Sequence, residues 1–466
     1  MVFRIYNSMG RKKMLFKPLR GKTVRLYTCG PTMWNYAGIH NFRTFVFDDV
    51  LRRYLEFKGY RVIQVMNITD VEDRIIKGIK LFHKSRKELT QFFESAFMED
   101  VAALNIERAE FYPHATEHIP EMVTLTKKLM RKGYAYKAED GSVYFKVSKF
   151  KRYGKLSGIK TGELKAAGRV SADHYEEKRV ANDFALWKAW DADDGEVFWE
   201  TDLGKGRPGW HIECSTMAME YLGSTFDIHT GGMDLRFPHH ENEIAQSESA
   251  TGKMFAKYWV HPQFLTLKGE ESHKSVGNVV YLRDLVKEGR HPMAVRLFLI
   301  SSKYRVILDL TPAALDQAEA KRQRLQDFLS RLREVKGGSG GELLARELVT
   351  SFERAMDDDL NAPRAVAAVF SVAKKANALI DSGKLGEKAS SQLIKALREV
   401  DSVLGVMDFE EHALPSDLAA LVQARDDARK RGDYATADQI RAQLLEKGLV
   451  IEDTPTGPVW KKSAPS

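Results

Sequence analysis

Apolar residues near the N-terminus follow first a strand pattern, then a helix pattern and then a strand pattern again. Residues 25–29 form a short, mostly apolar run that Gly30 and Pro31 end, as in a strand followed by a turn. Five apolar residues then recur at helical spacing: Phe47, Val50, Leu51, Tyr54 and Leu55. Gly59 follows where a helix cap belongs, and residues 62–66 predict a second strand. Strand, helix and strand over this length predict a βαβ unit with parallel strands.

The carboxyl end of the first predicted strand is where a ligand is expected. Ligands of parallel α/β sheets bind at the carboxyl ends of the strands, beside the N-termini of helices. Cys29 and the segment from Gly30 to Asn41 therefore lie at the expected site.

The middle and the end of the chain carry different patterns, which predict an insertion and two further domains. Residues 110–200 are polar and mixed, with one strand predicted at 142–145, and we interpret them as an insertion into a first domain of residues 1–310. Beyond that domain the apolar residues recur at helical spacing, which predicts a helical bundle over 311–406. Over 407–466 we expect a small α+β domain.

Three local features of these later regions make specific predictions. Thr311 and Pro312 form a good N-cap and first-turn pair for a helix. The run Gly-Gly-Ser-Gly-Gly at 337–341 predicts a flexible connection. A basic helix is expected near 417–447, and the residues after it predict a hairpin with Pro455 at its turn.

The composition predicts where in the cell the protein is found and weakly favours one kind of binding partner. The chain of 466 residues has no apolar run of the roughly 18 residues that a membrane span needs, so no membrane span is expected. No apolar segment typical of a secretion signal follows Met1, which predicts a cytosolic location. The net charge of +8 weakly favours a polyanionic partner. The two cysteines, Cys29 and Cys214, are not expected to form a disulfide in a reducing compartment.

A candidate metal site is the strongest chemical feature of the sequence. His239 and Glu243 are four residues apart on a predicted helix and share a face, where an imidazole and a carboxylate can hold one ion. Adding the thiols of Cys29 and Cys214 yields a donor set that suits tetrahedral zinc. On spacing alone a second interpretation stays equally open, in which His239 and Glu243 form a surface pair and the thiols pack in the core.

Six long blocks of sequence are jointly more specific than any single motif. They are residues 28–32 (Thr-Cys-Gly-Pro-Thr), 67–73 (Asn-Ile-Thr-Asp-Val-Glu-Asp), 206–215 (Gly-Arg-Pro-Gly-Trp-His-Ile-Glu-Cys-Ser), 231–243 (Gly-Gly-Met-Asp-Leu-Arg-Phe-Pro-His-His-Glu-Asn-Glu), 356–361 (Met-Asp-Asp-Asp-Leu-Asn) and 452–455 (Glu-Asp-Thr-Pro). The chain resembles the cysteinyl-tRNA synthetases of class I in these blocks, nearly from end to end. The resemblance implies an α/β fold with a Rossmann-like parallel-sheet catalytic domain that carries an insertion. An α-helical bundle and a small C-terminal α+β domain would follow it.

The resemblance also implies a zinc site and a purpose for it. Cys29, Cys214, His239 and Glu243 correspond to the family's zinc ligands, with one ion per subunit. The ion takes the thiolate of the substrate as a further ligand, whereas a serine hydroxyl is a poor competitor at neutral pH. An apolar pocket alone separates near-isosteres by only about 1–3 kcal/mol, so bonding to the metal makes an editing domain unnecessary.

Further residues around the expected cysteine pocket are weaker candidates. Trp210 matches a tryptophan of the family's substrate pocket, and plain core packing is the alternative. His240 and His211 are either orienting groups for the ligands or ordinary histidines.

The first ATP signature of the class is present in an irregular form. Class I synthetases carry a His-Ile-Gly-His-like motif at the N-terminus of the first long helix, where unsatisfied N–H groups and the helix dipole meet the phosphates. This chain has Gly38, Ile39, His40 and Asn41 at those positions. Asn41 can donate to a phosphate, but the first histidine and the glycine are exchanged. Gly38 therefore brings no imidazole, and His40 stands where the backbone should approach the nucleotide.

The second ATP signature, in a loop expected near 265–280, is also altered. Where the family has Lys-Met-Ser-Lys-Ser, this chain has Glu-Ser-His-Lys-Ser. Lys274 and Ser275 keep their places, whereas Glu271 puts a carboxylate beside the triphosphate, which opposes catalysis. Asp234 matches a residue that helps to hold the nucleotide.

The implied activity is the attachment of cysteine to tRNA(Cys) through a cysteinyl-adenylate, with ATP and Mg²⁺. Lys274, His40 and Asn41 are the expected catalytic residues. Two alternatives stay open: an adenylation-deficient paralogue that binds cysteine or tRNA, and a cysteine ligase that acts on an amino-sugar acceptor. Basic and aromatic groups near the C-terminus suit RNA, namely Arg425, Arg429, Lys430, Arg431, Arg441, Trp460, Lys461 and Lys462. A cytoplasmic monomer without a membrane partner is expected.

Overall fold

The computed structural model describes residues 2–159, 183–271, 279–410, 416–447, 449–454 and 457–462. The chain forms two compact units, of which the first comprises residues 1–283 and 292–407. The second comprises residues 284–291 and 408–466. Within the described ranges, no helix is long and apolar enough to cross a membrane.

Helices and strands alternate in the first half of the chain, and helices dominate the second half. The strands are β1 (Arg4–Asn7), β2 (Lys12–Leu15), β3 (Thr23–Thr28), β4 (Arg61–Met66), β5 (Ala135–Lys137), β6 (Val143–Phe145), β7 (Phe184–Ala189), β8 (Trp199–Thr201), β9 (Gly204–Pro208), β10 (Phe226–Thr230), β11 (Ala256–Val260), β12 (Leu265–Leu267), β13 (Glu270–Glu271), β14 (Leu308–Leu310), β15 (Leu449–Thr454) and β16 (Gly457–Lys462). The helices are α1 (Ile39–Phe57), α2 (Asp73–Phe82), α3 (Arg86–Ala103), α4 (Ile119–Arg131), α5 (Trp210–Leu222), α6 (His239–Thr251), α7 (Leu282–Lys287), α8 (Pro292–Leu299), α9 (Pro312–Arg333), α10 (Leu344–Met356), α11 (Ala362–Asp381), α12 (Glu387–Leu404), α13 (Ser416–Lys430) and α14 (Tyr434–Glu446).

A parallel sheet with the strand order β11-β10-β3-β4 forms the centre of the first unit. β3 and β4 pair from Thr23 opposite Arg61 to Thr28 opposite Met66, and α1 connects them. The predicted βαβ unit is confirmed. β3 ends one residue before the predicted end, so Cys29 is the first residue beyond the strand.

The connections of this sheet run in opposite directions on the two sides of the β3–β10 pair. α1 leads from β3 to β4 on one side, whereas α6 leads from β10 to β11 on the other. Such a change of direction leaves a crevice at the carboxyl ends of the two central strands. This crevice is the preferred ligand site of open parallel sheets.

An antiparallel sheet with the order β5-β6-β7-β9-β8 begins within the segment interpreted as an insertion. The strand predicted at 142–145 is β6, and the sheet continues to Pro208, past the predicted limit near residue 200. Apolar residues of this sheet share one buried cluster with β3, α4, α5 and α6. The shared core fixes α5 and α6 next to the central sheet.

The helical region begins as the sequence predicts. The Thr311 side chain accepts a hydrogen bond from the N–H of Ala314 at 3.2 Å, and Pro312 is the first residue of α9. Helices α9 to α12 follow in the chain and bury apolar stripes such as Leu325, Phe328 and Leu332 of α9. A bundle is the packing that such stripes favour.

The glycine-rich run at 337–341 is a fixed turn, so the predicted flexible connection is wrong. The N–H of Gly340 donates to the carbonyl oxygen of Lys384 at 2.8 Å. A Cβ atom on Gly338 would lie 2.2 Å from the carbonyl oxygen of Leu385, and the φ angle of Gly338 is +77°. Here glycine allows two backbone segments to approach closely rather than to move freely.

The second unit contains the helices α13 and α14, followed by the hairpin of β15 and β16. The single basic helix predicted near 417–447 is therefore wrong, because the chain turns at Gly432, which has φ +79°, and Asp433 caps a new helix. The hairpin is confirmed, although Pro455 of its turn lies outside the described residues. A parallel-sheet unit with helices and a small α+β unit together confirm the predicted fold class.

Candidate active site

Four predicted donor groups meet at the crevice between β3 and β10. The Sγ atom of Cys29 lies 4.0 Å from Sγ of Cys214 and 3.9 Å from Oε1 of Glu243. Nε2 of His239 lies 3.2 Å from the same oxygen. One ligand atom from each of these residues lies within 4.8 Å of all the others. The arrangement can enclose one metal ion, as the first interpretation of the sequence predicted.

Three elements deliver these donors. Cys29 follows β3, Cys214 lies on α5, and the first turns of α6 carry the other two donors. The start of α5 is held close to β7, since a Cβ atom on its N-cap Gly209 would lie only 2.1 Å from the carbonyl oxygen of Ala185. The position of Cys214 is therefore fixed by the close packing of the start of α5 against β7, and not by a flexible loop.

Burial makes the charged state of the donor set costly. Each of the four residues is at most 5% exposed. Burial raises the pKa of the Cys29 thiol well above its usual value, and the neighbouring Cys214 and Glu243 raise it further. Burial also raises the pKa of Glu243, against the opposing effect of His229. A divalent cation would offset this concentration of thiol and carboxyl groups, so the donor set fits a metal ion.

A second potential ligand set overlaps the first. The ligand atoms of His229 and His240, together with those of Cys29 and Glu243, also lie within 4.8 Å of one another. His240 Nε2 is 3.4 Å from Sγ of Cys29, and His229 Nε2 is 2.9 Å from Oε2 of Glu243. These two imidazoles therefore hold the thiol and the carboxylate in place, which is the ordinary task of partners around metal ligands.

Further hydrogen bonds extend from the donor set on two sides. Nδ1 of His240 lies 2.8 Å from Nε2 of His261, whose Nδ1 lies 2.8 Å from Oγ of Ser8. On the other side Nδ1 of His211 lies 2.9 Å from Nδ1 of His239. Burial lowers the pKa of His240 and of His261 well below the usual value, which keeps both rings uncharged at neutral pH. His211 and His240 thus lie where the orienting groups of the sequence prediction would lie.

Sequence reasoning missed three residues around the donors. His229 is the fourth residue of β10, and His261 follows the last residue of β11. Tyr27 lies in β3, and after burial the nearby Cys214 is the next cause that raises the pKa of its hydroxyl. The signal available in the sequence was a polar aromatic side chain near the carboxyl end of an apolar strand, because adjacent parallel strands bring such ends together.

Trp210 lies beside the donor set. It is the first residue of α5, and its ring centroid is 4.3 Å from that of His239. The residue is half-buried and lies beside one member of the candidate metal set. An aromatic side chain at this point can form a wall of a small-substrate pocket.

The first ATP signature lies at the start of α1. Gly38 is the N-cap residue, and its N–H donates to Oδ1 of Asn41 at 3.0 Å. The N–H of Ile39 donates to the carbonyl oxygen of Val280 at 2.8 Å. His40 and Asn41 are both half-buried. The structure thus places this signature at a helix N-terminus beside the carboxyl end of β3, where an anion is favoured.

The other predicted nucleotide residues are less fully described. Lys274 and Ser275 lie outside the described residues. The chain on their C-terminal side returns to the start of α1, where Tyr281 forms a β-bridge with Gly38. Asp234 is exposed in a 3₁₀ turn that follows β10, on the other side of the crevice.

Comparisons with known proteins agree with these features. Residues 15–320 match the family model described as the tRNA synthetases class I (C) catalytic domain. Residues 351–408 match the DALR domain, and residues 411–460 match the cysteinyl-tRNA ligase anticodon binding domain. The cysteine--tRNA ligase of Chlamydia pneumoniae is 45% identical over 463 residues, which cover 98% of this chain and 97% of the relative. The chain belongs to the cysteine--tRNA ligase family.

Other members and a more distant fold relative extend this result. The cysteine--tRNA ligase of Protochlamydia amoebophila is 42% identical over 467 residues, with 98% of both chains covered. The solved structure of Mycobacterium tuberculosis methionyl-tRNA synthetase with methionyl-adenylate has a TM-score of 0.60 and 15% identity. The match covers 90% of this chain and 96% of that chain. This member of the cysteine--tRNA ligase family therefore has the class I synthetase fold.

Proposed function

We propose that the chain attaches cysteine to tRNA(Cys) in two steps that use ATP. In the first step a carboxylate oxygen of cysteine bonds to the α-phosphorus of ATP as the bond to pyrophosphate breaks, which forms cysteinyl-adenylate. In the second, the terminal ribose hydroxyl of the tRNA attacks the activated carbonyl and AMP leaves. The observation that carries the proposal is the meeting of the four donors with the start of α1 at one crevice. Neither step needs a nucleophilic side chain, so Cys29 and Cys214 are free to act as ligands.

We propose that the four donors hold one Zn²⁺ per subunit. Two thiols, an imidazole and a carboxylate form a set that suits tetrahedral zinc better than a hard cation such as Mg²⁺. When bound, the ion supplies a bond to the substrate's sulfur that the hydroxyl of serine cannot match. His229 and His240 orient the carboxylate and the thiol, as their distances of 2.9 and 3.4 Å indicate. Trp210 would close the side of the cysteine pocket next to His239.

The start of α1 is the proposed site for the phosphates of ATP, which enters with Mg²⁺ as a substrate. The positive end of the helix dipole favours anions at this N-terminus. His40 and Asn41 supply side-chain groups there, and Gly38, which has no side chain, leaves room for the ring of His40. Lys274 and Ser275, from the second signature, and Asp234, from the turn after β10, complete the proposed nucleotide set.

We propose that the helical bundle of residues 311–406 binds the tRNA and that the small domain of residues 407–466 binds its anticodon. The boundaries predicted at 310 and 406 are supported by the ends of the family-model matches, which lie nearby. Exposed basic groups suited to a phosphate backbone are Arg429, Lys430, Arg431 and Arg441. Arg425 is unsuited to that role, because its side chain is buried, with 1% exposed. A cytoplasmic monomer stays part of this proposal.

The altered ATP signatures favour one alternative, a paralogue that binds cysteine or tRNA without forming the adenylate. The glycine at position 38 and the carboxylate of Glu271 are the observations behind it. The second alternative, transfer of cysteine to an amino-sugar, is opposed by the match of residues 411–460 to an anticodon binding domain. Attachment of cysteine to tRNA is therefore preferred over its transfer to an amino-sugar.

Cysteine-dependent exchange between ATP and labelled pyrophosphate tests the first step directly. We expect exchange with cysteine and much less with serine, followed by charging of tRNA(Cys) and no transfer to an amino-sugar. Tight cysteine binding without any exchange would identify the adenylation-deficient alternative. Equal activation of serine would reject the role of the metal in selection, while leaving the reaction itself intact.

A further inference from the structure

The first turn of α1 is held in a defined geometry around Gly38. Gly38 has φ −76° and ψ 161°, values that residues with a side chain also adopt. Its N–H is bound by Asn41, and the next N–H, of Ile39, is bound by Val280. Backbone conformation thus does not explain why a glycine stands at position 38.

The ring of His40 explains it. A Cβ atom built on Gly38 would lie 2.5 Å from Cε1 and 2.6 Å from Nδ1 of His40, and 2.7 Å from Cγ1 of Val279. Contacts this short are essentially never made by a real Cβ atom, so a side chain at position 38 would displace the ring. The imidazole of His40 therefore occupies the space that a side chain of residue 38 would take.

His40 lies on a face of α1 that reaches the crevice between β3 and β10. His40 and Thr44 are four residues apart on α1 and share a face. Thr44 Oγ1 lies 3.6 Å from the point where a Cβ atom on Gly232 would stand, and Gly232 belongs to the turn after β10. Both His40 and Thr44 are half-buried, so this face of α1 is not closed by core packing.

We infer that Gly38 and His40 form a matched pair, in which the imidazole of residue 40 uses the space of the side chain of residue 38 to contact the phosphates of ATP. The inference rests on the proposed function and deepens it, because it assigns a role to the exchanged signature. As the carboxylate of cysteine bonds to the α-phosphorus and the bond to pyrophosphate breaks, a ring N–H of His40 donates to the departing phosphate oxygens. A donor placed where charge develops contributes roughly 100-fold or more to such a step.

Two single substitutions test the role of the ring. His40→Ala is expected to lower the kcat of pyrophosphate exchange by about 100-fold, with cysteine binding and zinc content unchanged. Gly38→Ala adds only a methyl group, yet it should lower kcat as well, because the methyl group displaces the ring. Gly10→Ala is the matched control, since a Cβ atom there meets only Lys12 at 3.8 Å, and it should behave as the parent chain does.

The paired exchange tests the match itself. Gly38→His alone should be at least as impaired as His40→Ala, whereas Gly38→His with His40→Gly should recover exchange to within about tenfold of the parent, a coupling that independent sites do not show. A double variant no better than His40→Gly, or a fully active His40→Ala, would overturn the inference. If the parent chain shows no pyrophosphate exchange, the affinity of a non-hydrolysable ATP analogue, measured by calorimetry, still tests whether His40 contacts the phosphates. A parent chain that binds the analogue but exchanges nothing contradicts the proposed function, whereas equal affinity in parent and His40→Ala contradicts the matched pair.

Discussion

At the scale of single residues, Glu243 joins both ligand sets of the crevice. Its Oε1 lies 3.2 Å from Nε2 of His239, and its Oε2 lies 2.9 Å from Nε2 of His229. Glu241, two residues earlier on α6, is equally buried, but its Oε2 accepts a hydrogen bond from the N–H of Ser157 at 2.8 Å. Glu243, a proposed ligand, can therefore be compared with Glu241, a buried carboxyl group of the same helix that belongs to neither ligand set.

We expect Glu243→Gln to lose zinc, because a neutral amide is a poor replacement for a carboxylate ligand. Loss of an orienting group around a metal ligand typically costs 10–100-fold in affinity, and loss of the ligand itself should cost at least about 100-fold. Elemental analysis after dialysis against a weak chelator measures the loss. Glu241→Gln should keep its zinc, and equal zinc contents in the two variants would contradict the assignment.

Asp401 is a residue whose titration should be visible in the stability of the whole first unit. Burial raises its pKa to about 6, although the N–H groups of Val406 and Met407 bond to its carboxyl group. Between its usual pKa of 3.8 and about 6 the folded state keeps a proton that the unfolded state has lost. Stability therefore falls as pH rises through this window, by about 3 kcal/mol for this group.

Asp401→Asn should remove this fall, because the amide carries no titrating proton while its oxygen can still accept. The difference in unfolding free energy between variant and parent should shift by about 3 kcal/mol in favour of the variant between pH 4 and pH 6.5. Urea unfolding at several pH values measures it. Glu399→Gln, at an exposed position of the same helix, should follow the parent. Parallel curves for Asp401→Asn and the parent would contradict the prediction.

At the scale of elements, the glycine run at 337–341 joins α9 to α10 and binds the segment before α12. The N–H of Glu387, the first residue of α12, donates to the carbonyl oxygen of Gly337 at 3.1 Å. The run thus connects the end of α9 with the beginnings of α10 and α12. These contacts hold the run in a defined conformation, although its composition is that of a linker.

Gly338→Ala should destabilise the chain more than Gly383→Ala does. Both glycines have positive φ angles, +77° and +63°, so alanine at either costs about 1–2 kcal/mol. A Cβ atom at 383 meets nothing within 4 Å, whereas one at 338 collides with the carbonyl oxygen of Leu385. Overpacking should add about 1–3 kcal/mol at position 338. Chemical unfolding compares the two, and equal losses would show that the turn can move aside.

Elements defined by local patterns could be predicted from the sequence, and elements defined by contact could not. β3, α1, β4 and the capped start of α9 were predicted because their apolar spacing and cap residues are local signals. The two helices α13 and α14 were predicted as one, because the chemistry that separates them is only the short turn at Gly432 and Asp433. The fixed turn at 337–341 depends on partners more than 40 residues away, which no local pattern contains.

At the scale of the whole molecule, the donor set connects distant parts of the chain. Cys29 is separated from Cys214 by 185 residues and from Glu243 by 214 residues. The family blocks identified these four donors, and the sequence alone left their meeting undecided. His229 and His261 could not be predicted, because their places depend on the order of β10, β3 and β11 in the sheet.

Removal of the proposed Zn²⁺ should destabilise the first unit. An ion that binds only the folded state adds about 2.7 kcal/mol at a free concentration 100 times its Kd, and a strong chelator removes that contribution. Thermal unfolding with and without chelator should therefore show a lower Tm in the chelated parent. Cys214→Ser should show little response, since it has already lost a ligand. An unchanged Tm in a parent chain shown to have lost its metal would contradict this coupling.

The row of hydrogen bonds from Ser8 through His261 and His240 to Cys29 has a consequence for where protons sit. Each uncharged imidazole carries one proton, so the tautomer of one ring dictates that of the next. If the Ser8 hydroxyl donates to His261, His240 must present an N–H to the sulfur of Cys29. If Ser8 accepts instead, His240 presents a lone pair to that sulfur. The rotation of one hydroxyl near the N-terminus thus sets whether the sulfur of Cys29 meets a donor or an acceptor.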